Sequence, residues 1–505
     1  MTDLLAELPG HLAAHLLLSL AALVVGIVVS VPLGIFVSRV RRFEVPVVGT
    51  ASVLQTIPSL ALLAFMVPAL AALGVRSIGF LPALIGLSLY SFLPILRNTI
   101  TGLSGVDPAV VEAARGVGMT PRESLFRVEL PLAMPVIVAG IRTSAVWTVG
   151  TATLSTPVGA PSLGNYIFGG LQTRNYASVL VGCVASALLA LVIDGLVHVI
   201  SRGIELQNRR LSGLGLSGFL LLAVFATTPM WPSRTSTGHA PITIGAKTFT
   251  ESYILAHALA RQTEKQTGLP TKVLESLGST VAFDALVSGQ IDAYVDYSGT
   301  LWSSVLGKGE THIDRKAMLV EAGRLLDEKY GILLVCPLGF ENTYALAMRR
   351  EDAARLNARR IGDLAPQAKT IRVGGDYEMF QRAEWKSVTS TYGLAFAEQR
   401  SMDPSLMYDA IKTGQVDLIG AFSTDGRIAA YDLLVLEDDR GALPPYDAVI
   451  LVSARLRHDK PKVIESLRGL CGRIDADTMR KLNREVDQDK RMPAAVARDF
   501  LQQLR

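Results

Sequence analysis

Six long stretches without charged side chains constrain the fold of this chain more than any other feature. They lie at residues 8–38, 45–75, 77–96, 132–155, 175–193 and 211–233, and only Arg142 interrupts them. A helix needs about 20 apolar residues to cross the hydrocarbon core of a bilayer, and each stretch offers roughly that number. The sequence therefore predicts six membrane-spanning helices, the first of which is too long to be a cleaved signal peptide.

The charged residues are concentrated in the second half of the chain. Asp, Glu, Lys and Arg total 22 in residues 1–233 and 72 in residues 234–505, and the first lysine is Lys247. We therefore expect a transmembrane domain over residues 1–233, a linker over residues 234–240 and a soluble domain over residues 241–505. The formal net charge of only +4 does not indicate nucleic acid as a partner.

The placement of arginines predicts which ends of the helices face the cytoplasm. With the N-terminus outside, the outer loops hold only Arg76 and Arg174. The inner loops then hold Arg39, Arg41, Arg42, Arg97, Arg115, Arg122, Arg127, Arg202, Arg209 and Arg210. Because cytoplasmic loops carry the excess of Lys and Arg, the loop after the third stretch is expected in the cytoplasm and the soluble domain outside. Trp231 is then expected as an aromatic anchor at the outer interface.

Arg142 is a charge inside the fourth predicted helix, where an ion is costly and normally faces protein or water rather than lipid. One interpretation is a residue of the translocation path. The other, which we favour, is a buried arginine that pairs with Asp194 or with backbone carbonyls.

The predicted cytoplasmic loop contains the segment EAARGVGMTPRESLFRVELP, residues 112–131. An Asp-Pro pair before it predicts the start of a short helix, which Gly118 ends. A Thr-Pro pair at Thr120 predicts a second helix, and Glu123 is placed to complete a capping box there. Pro131 is expected to end the segment and to open the next span. The sequence therefore predicts a rigid elbow of two short helices.

The spacing of this segment resembles the EAA loop of bacterial ABC importer permeases. The matching positions are Glu112, Ala113, Ala114, Gly118, Leu130 and Pro131, whereas the family favours Ile where Val128 stands. The resemblance implies an all-α permease in the bacterial inner membrane, a homodimer, and an elbow, residues 107–131, that docks on a separate ATPase subunit. The chain has no G-x-x-x-x-G-K-[ST] phosphate loop, so ATP hydrolysis is assigned to another polypeptide.

From residue 241 onward, strands alternate with helices, which predicts an α/β domain. The expected strands include ITIG, LLVCPLGF, IRVGG and AVILVS. Thr248 and Glu251 have the spacing of a capping box on the first helix.

An internal repeat divides this domain. Residues 280–300 align without gaps on residues 405–425, and six of the 21 pairs are identical. Two similar α/β lobes predict a two-lobed domain like that of periplasmic binding proteins, with the ligand in the cleft. We expect lobe 1 at about residues 241–343 and 447–505, and lobe 2 at about residues 344–446.

The repeat places Tyr297 and Phe422 at matching strand ends, where open α/β sheets bind ligands. Two rings that converge from opposite lobes suggest a ligand with a soft cation or a ring. The alternative is that both are ordinary core aromatics.

Five motifs of this domain resemble those of OpuC-type osmoprotectant binding proteins: GAKTFTE, YVDYSGT, ENTYALAM, FSTDGRI and PPYDAVI. In that family, aromatic rings cage a quaternary ammonium group. The resemblance implies a cage of Tyr297, Tyr344, Phe422 and Tyr446, where Phe422 replaces the usual Tyr. It also implies polar contacts from Asn342 and Thr300, and Lys247 is expected to pair with a ligand carboxylate.

Several functions remain open at this point. The resemblance implies the fused permease and binding protein of an ABC importer for a trimethylammonium compound such as glycine betaine, carnitine or choline. Ergothioneine is an alternative ligand, for whose imidazole-thione Glu341 or Asp447 is a candidate partner. A ligand-gated receptor or channel and a membrane-anchored enzyme are the other classes. The elbow disfavours a channel, and no motif for an enzyme is present.

Cysteine usage predicts neither a metal site nor a redox motif, because Cys183, Cys336 and Cys471 form no C-x-x-C pair. In an extracytoplasmic domain, Cys336 and Cys471 are candidates for a disulfide, and two buried thiols are the alternative. No metal and no cofactor is expected.

Overall fold

The computed structural model describes residue 5 and residues 7–173, 175–228, 240–308, 314–376 and 379–504. The described residues fall into two compact units. One lies within Met1–Phe168 and Ala177–Ser236, and the other within Gly169–Tyr176 and Thr237–Arg505. Arg174, Trp231 and most of the expected linker lie outside the described residues.

All the regular secondary structure described up to residue 228 is helical. Its α-helices are Leu8–Arg39, Glu44–Thr56, Ser59–Ala72, Phe80–Ser104, Pro108–Gly116, Pro121–Ser124, Leu130–Ala152, Gly164–Gln172, Tyr176–Glu205 and Arg209–Ala226. Among the described residues, five helices are long and apolar enough to cross a membrane: Leu8–Arg39, Phe80–Ser104, Pro121–Val158, Tyr176–Glu205 and Arg209–Ala226.

The second predicted span is not one straight helix. Arg41–Thr56 and Ser59–Ala72 are bent by 97° relative to each other, so the described residues contain six spans only if this pair counts as one. The break falls at Ile57 and Pro58, both of which are extended. Proline has no backbone N–H and disfavours helical geometry in the residue before it, which explains the position of the bend.

Small residues set how closely the long helices approach each other. An added Cβ at Gly26 would lie 2.1 Å from Ser91 Oγ, and one at Gly140 would lie 2.8 Å from the Pro94 carbonyl oxygen. Membrane helices pack without a hydrophobic driving force between them, so close backbone approach through small residues replaces it. These glycines let Leu8–Arg39 and Leu130–Ala152 pack against Phe80–Ser104.

Arg142 pairs with Asp194, as the favoured interpretation predicts, but its side chain is 42% exposed and not buried. Arg142 Nε and Nη2 donate to the two oxygens of Asp194 at 2.5 and 2.6 Å. This bidentate pair joins Leu130–Ala152 to Tyr176–Glu205 and removes the cost of an unpaired charge in a span.

The elbow has the predicted caps. Asp107 accepts a hydrogen bond from the Ala109 backbone N–H, and Thr120 and Glu123 form the reciprocal capping box. Gly118 ends the first helix with φ of +86°, a left-handed conformation that favours glycine.

Pro131 opens the next span, as predicted, but the second elbow helix does not end before it. The helix continues through one π-turn, Leu125–Glu129, into Leu130–Ala152. The Leu130 backbone N–H bonds to the Leu125 carbonyl, and Pro131 follows in the first turn, where its missing N–H costs little. Within this turn, the buried Glu129 carboxylate accepts from Arg39 Nη2 at 2.7 Å and from Ser124 Oγ at 2.8 Å.

The second unit is an α/β domain with two mixed sheets. Its strands are β1 Ile242–Lys247, β2 Thr271–Leu277, β3 Ala293–Tyr297, β4 Leu333–Glu341, β5 Tyr344–Arg349, β6 Arg372–Gly375, β7 Glu398–Ser401, β8 Leu418–Phe422, β9 Leu433–Val435 and β10 Asp447–Val452. The orders are β2-β1-β3-β10-β4 in one sheet and β7-β6-β8-β5-β9 in the other. β1, β2 and β3 run parallel, as do β6, β7 and β8.

Helices cover both sheets. They are Thr250–Thr267, Ser279–Val287, Arg315–Tyr330, Arg350–Leu356, Ala383–Tyr392, Pro404–Lys412, Arg427–Ala430, Ala454–Asp459, Pro461–Arg468, Ala476–Asp487 and Pro493–Gln503. The core of the first sheet is fully buried at Ile244 and Ile450, with Phe500 packed in the same cluster.

The internal repeat is confirmed element by element. Ser279–Val287 and β3 in the first copy correspond to Pro404–Lys412 and β8 in the second, with the same spacing. The aspartates shared by the two copies also make equivalent hydrogen bonds. Asp292 accepts from the Thr243 backbone N–H at 2.8 Å, and Asp417 accepts from the Arg372 backbone N–H at 3.0 Å.

The predicted capping box at Thr248 and Glu251 is wrong. The helix begins at Thr250 with Phe249 as its N-cap, and no side chain caps it. Glu251 is buried and its carboxylate binds four other side chains, so it is not available to cap the helix.

Cys336 and Cys471 form a disulfide, with their Cα atoms 5.8 Å apart. The bond ties β4 to the segment after Pro461–Arg468 and closes a loop of 135 residues in sequence. A disulfide agrees with an oxidising, extracytoplasmic location for this unit.

Asp487 generates a prediction for the pH dependence of folding. Burial raises the pKa of Asp487 to about 6, while Thr250 Oγ1 donates to its carboxylate at 2.6 Å. A carboxyl whose pKa is higher in the folded state stabilises the fold less as pH rises from about 4 to 6. Asp487→Asn keeps an acceptor without the charge. Relative to wild type, the free energy of unfolding of the variant should therefore rise by up to about 3 kcal/mol across this window.

The measurement is denaturant unfolding of the purified chain at several pH values between 4 and 7. Asp477→Asn is the matched control, because the Asp477 side chain is 89% exposed on the same helix. Parallel pH profiles for wild type and Asp487→Asn would contradict the prediction.

Candidate ligand-binding site

Five aromatic rings lie together where the two sheets of the second unit meet. The ring centroids are 5.0 Å apart for Tyr344 and Phe422, 6.0 Å for Tyr344 and Tyr446, 6.0 Å for Phe249 and Tyr297, and 6.4 Å for Phe249 and Phe422. The structure thus brings together all four rings that the resemblance predicted. We call these five residues the ring cluster.

The strand geometry explains how the rings converge. Tyr297 ends β3 in one sheet and Phe422 ends β8 in the other, at matching positions of the repeat. Tyr344 begins β5 directly opposite Phe422 in the antiparallel ladder, so the pair is set by strand register. Tyr446 immediately precedes β10, where the chain returns to the first sheet.

Phe249 is the ring that sequence reasoning missed. It stands in the GAKTFTE motif between β1 and the helix Thr250–Thr267, and its ring stacks on Phe422 with an interplanar angle of 11°. The GAKTFTE motif could have identified Phe249 as a candidate for the cage, because Phe249 is the aromatic residue of that motif.

Each tyrosine of the ring cluster donates its hydroxyl to a different carboxylate. Tyr297 donates to Glu251 at 2.5 Å, Tyr344 to Asp376 at 3.0 Å, and Tyr446 to Glu384 at 2.5 Å. Burial and the neighbouring carboxylates hold the pKa of Tyr297 and Tyr446 well above the ordinary value, so both hydroxyls remain protonated donors.

The Glu251 carboxylate is a meeting point of four segments. Besides Tyr297, it accepts from Asn342 Nδ2 at 2.9 Å, from Thr424 Oγ1 at 2.6 Å and from Asn483 Nδ2 at 3.1 Å. Burial raises the pKa of Glu251, and the four donors oppose that shift. Because Thr424 follows β8 while Tyr297 ends β3, this one carboxylate joins the two halves of the unit.

Glu384 makes a second connection between the halves. Its Oε1 accepts from Ser303 Oγ at 2.6 Å as well as from Tyr446, and Ser303 lies after β3 while Glu384 opens Ala383–Tyr392. Arg382 Nη1 is 4.0 Å from the same oxygen, and the Arg382 guanidinium lies 5.5 Å from the Tyr344 ring centroid.

A cavity of about 310 Å³, which includes space open to solvent, lies beside these groups. Its lining includes Tyr344, Met379, Arg382, Glu384 and Trp385. Sequence reasoning did not find Asp376, Arg382 or Glu384. They lie between the two repeat copies and in none of the motifs, so no signal marked them.

Two polar residues predicted as ligand contacts lie at the cluster. Asn342 donates its backbone N–H to the Tyr446 carbonyl at 2.9 Å, and its side-chain Oδ1 is buried and accepts no hydrogen bond from the described residues. Thr300 is buried in the turn Ser298–Thr300, directly after Tyr297. Gly299 directly precedes Thr300, and an added Cβ at Gly299 would lie 2.6 Å from ring atoms of Tyr446.

Lys247 has a different environment from the expected one. Its side chain is 3% exposed, and its Nζ pairs with Asp296, whose other oxygen accepts from Tyr294 at 2.5 Å. An ammonium that is already neutralised by a buried carboxylate attracts a ligand carboxylate only weakly. The geometry therefore gives no support to a ligand contact from Lys247.

The two carboxylates considered for an imidazole-thione are also occupied. Arg315 pairs with both Glu341 and Asp447, and its Nε lies 2.9 Å from both Asp447 oxygens. Asp447 is almost fully buried in this pair. The expectation that either carboxylate serves the ligand is not supported by this arrangement.

The residues of the elbow have mixed exposure. Glu112, Ala113, Gly118 and Pro131 are exposed, Ala114 is buried, and Leu130 is partly buried. Val117 and Phe126 are exposed apolar side chains on the same segment, at 76% and 58%.

Both halves of the chain match known transport families. Residues 240–503 match the substrate binding domain of the ABC-type glycine betaine transport system. Residues 22–206 match the binding-protein-dependent transport system inner membrane component. Neither family consists of enzymes, and the permease family implies a membrane location and a separate ATPase subunit.

Individual relatives agree with this division. The chain is 32% identical over 494 residues to the ergothioneine transport permease/ergothioneine binding protein EgtU of Helicobacter pylori. This alignment covers 95% of the chain and 87% of the relative. The chain is 44% identical over 196 residues to the glycine betaine/carnitine/choline transport system permease protein OpuCB of Bacillus subtilis, covering 39% of this chain and 88% of the relative.

The second half has a relative of its own. The carnitine transport binding protein OpuCC of Listeria monocytogenes is 30% identical over 295 residues, which is 57% of this chain and 96% of the relative. A channel and an enzyme are therefore set aside. The chain belongs to the ABC importers of the glycine betaine/carnitine/choline type, as a multi-pass permease fused to its substrate-binding domain.

Proposed function

We propose that the ring cluster binds a trimethylammonium compound and that the helical unit carries it across the bacterial inner membrane. The observation that carries this proposal is the convergence of Tyr297, Tyr344, Phe422 and Tyr446 from both sheets. A trimethylammonium group has no N–H to donate, so ring faces and shape must recognise it, and each ring contributes roughly 0.5–2 kcal/mol.

Polar groups beside the rings suit the remainder of such a ligand. Arg382 lies within 5.5 Å of the Tyr344 ring centroid and lines the cavity. We assign it, instead of Lys247, as the partner of a ligand carboxylate. The buried Asn342 Oδ1 and the Thr300 hydroxyl are proposed as further polar contacts.

The proposed assembly has three parts. Residues 1–233 form the permease, residues 234–240 a linker, and residues 241–505 the binding domain on the extracytoplasmic face, which the disulfide supports. Two copies of the chain form the transporter, and the elbow, residues 107–131, docks on the ATPase. The exposed Val117 and Phe126 support such a docking face.

Ergothioneine is the second candidate ligand. It also carries a trimethylammonium group and a carboxylate, and the relative named for it is similar over nearly the whole fused chain. Glycine betaine, carnitine and choline are the candidates that the other relatives' names supply.

Calorimetric titration of the full-length chain in detergent with these four compounds tests the proposal. We expect at least one to bind, and Tyr344→Ala to weaken it by about 1–2 kcal/mol, since the variant removes one ring face from the cation. Tyr330→Ala is the matched control, because Tyr330 packs on Phe283 outside the ring cluster. Absence of binding by all four compounds, or equal effects of the two variants, would refute the assignment.

Gly299 provides a test of the packing behind the rings. Gly299→Ala places a Cβ against the Tyr446 ring, so the ring must move. We expect ligand affinity to fall at least about tenfold, or about 1.4 kcal/mol. Gly323→Ala is the control, because its Cβ makes only ordinary contact with Leu334 at 3.7 Å. Unchanged affinity in Gly299→Ala would place Tyr446 outside the binding site.

The elbow gives a prediction for coupling. Glu112→Ala and Gly118→Asp should abolish uptake while ligand affinity stays normal, because the elbow is assigned to ATPase docking and not to binding. Gly118 has φ of +86°, which disfavours Asp, whereas Gly116 is a helical residue with open space around it. Gly116→Ala is therefore the control. Uptake and calorimetric affinity are the measurements, and parallel loss of both would contradict the coupling role.

A further inference from the structure

Three buried carboxylates stand behind the ring cluster in a regular pattern. Glu251, Asp376 and Glu384 are 3%, 8% and 3% exposed, and each accepts a hydrogen bond from the hydroxyl of a different cluster tyrosine. They come from separate elements: the first turn of Thr250–Thr267, the end of β6 and the first turn of Ala383–Tyr392. Phe249 and Phe422 have no hydroxyl and no such partner.

We infer that Glu251, Asp376 and Glu384 are specificity-determining residues, which act through the tyrosine hydroxyls to make the ring cluster prefer a cationic head group over a neutral one of the same shape. This inference rests on the proposed function and deepens it.

The physical reason is polarisation of the rings. A phenol that donates to a carboxylate gains electron density on its oxygen and ring, which makes the ring face more negative. A cation over that face is held by the ring quadrupole and gains from each increase in its strength. The carboxylate charges also act directly, because interactions in a buried site are screened less than in water.

The charges around the cluster leave an excess of negative charge. Lys247 is already neutralised by Asp296. Arg382 is the other cation at the cluster among the described residues, and it lies over the Tyr344 ring and 4.0 Å from Glu384. Carboxyl groups therefore outnumber cations at the cluster, which favours a bound cation, and Arg382 lies on the side proposed for a ligand carboxylate.

Four hydrogen-bond donors oppose the rise in the pKa of Glu251 that burial causes. Its Oε1 accepts from Tyr297 and Asn342, and its Oε2 accepts from Thr424 and Asn483. With a donor pair on each oxygen, a proton on the carboxyl would face other donors.

Glu384 gives the cleanest variant. Its Oε1 receives Tyr446 and Ser303, while its Oε2 is buried and accepts no hydrogen bond from the described residues. Glu384→Gln therefore keeps the acceptor for both hydroxyls, removes the charge and places an NH2 group at the position of Oε2. Tyr446→Phe is the second variant. It keeps the ring and removes the link, so the inference stays testable if Glu384→Gln fails to fold.

The experiment compares choline with its neutral isostere 3,3-dimethylbutan-1-ol, titrated into the full-length chain in detergent. We expect Glu384→Gln and Tyr446→Phe each to lower the ratio of the two affinities by about three- to tenfold, in the range of one cation–π contact. The double variant should lower it no further than Glu384→Gln alone, because the carboxylate acts through the hydroxyl. Asp352→Asn is the control, since Asp352 is equally buried but pairs with Arg349 and Arg355.

The outcomes separate the inference from the proposed function. An unchanged ratio of the two affinities overturns the inference. If both affinities fall equally in the variants, the carboxylates have a purely structural role, and if neither falls, they have no effect on binding. A wild-type protein that binds choline no better than the neutral alcohol overturns the inference, whereas the proposed function fails if none of the four candidate compounds binds.

Discussion

Four hydrogen-bond donors converge on the buried carboxylate of Glu251, and the arrangement of the ring cluster depends on them. The donors belong to β3, to the crossing between β4 and β5, to the loop after β8 and to the helix Ala476–Asp487. A buried carboxylate without these partners is costly, and the donors are equally costly without the carboxylate. The four segments are therefore stable only together, which places Tyr297 beside Phe249 and brings the loop after Phe422 to the same point.

Polar pairing inside an apolar setting also organises the helical unit. Arg142 and Asp194 satisfy each other within the predicted spans, and the Glu129 carboxylate ties the elbow to Arg39 at the end of Leu8–Arg39. Close helix contacts at Gly26 and Gly140 supply the packing around these pairs. The elbow is thereby joined to the first long helix by a side-chain contact and to Leu130–Ala152 through the backbone.

Charge placement in the second unit distinguishes residues of the same type. Lys247 and Arg382 are both cations near the cluster, but Lys247 is held by Asp296 while Arg382 lies over the face of Tyr344 and lines the cavity. Glu341 and Asp447 are likewise held by Arg315. The carboxylates that reach the cluster are those bonded to tyrosine hydroxyls, so the rings and the charges form one electrostatic unit.

Much of this architecture can be read from the order of residues alone. Charge-free stretches predict the spans, because spanning helices need uninterrupted apolar sequence, and the repeat with Tyr297 and Phe422 predicts two equivalent lobes. The caps at Asp107 and Thr120 are local interactions and can equally be predicted from the sequence. Side-chain partners distant in sequence are different. Glu251 has the spacing of a cap but binds residues 46 to 232 positions away, and Lys247 meets Asp296 across β1 and β3. Asp376, Arg382 and Glu384 carry no local pattern. Their roles arise only when folding brings them against the rings, since burial, and not sequence, sets which charges remain for a ligand.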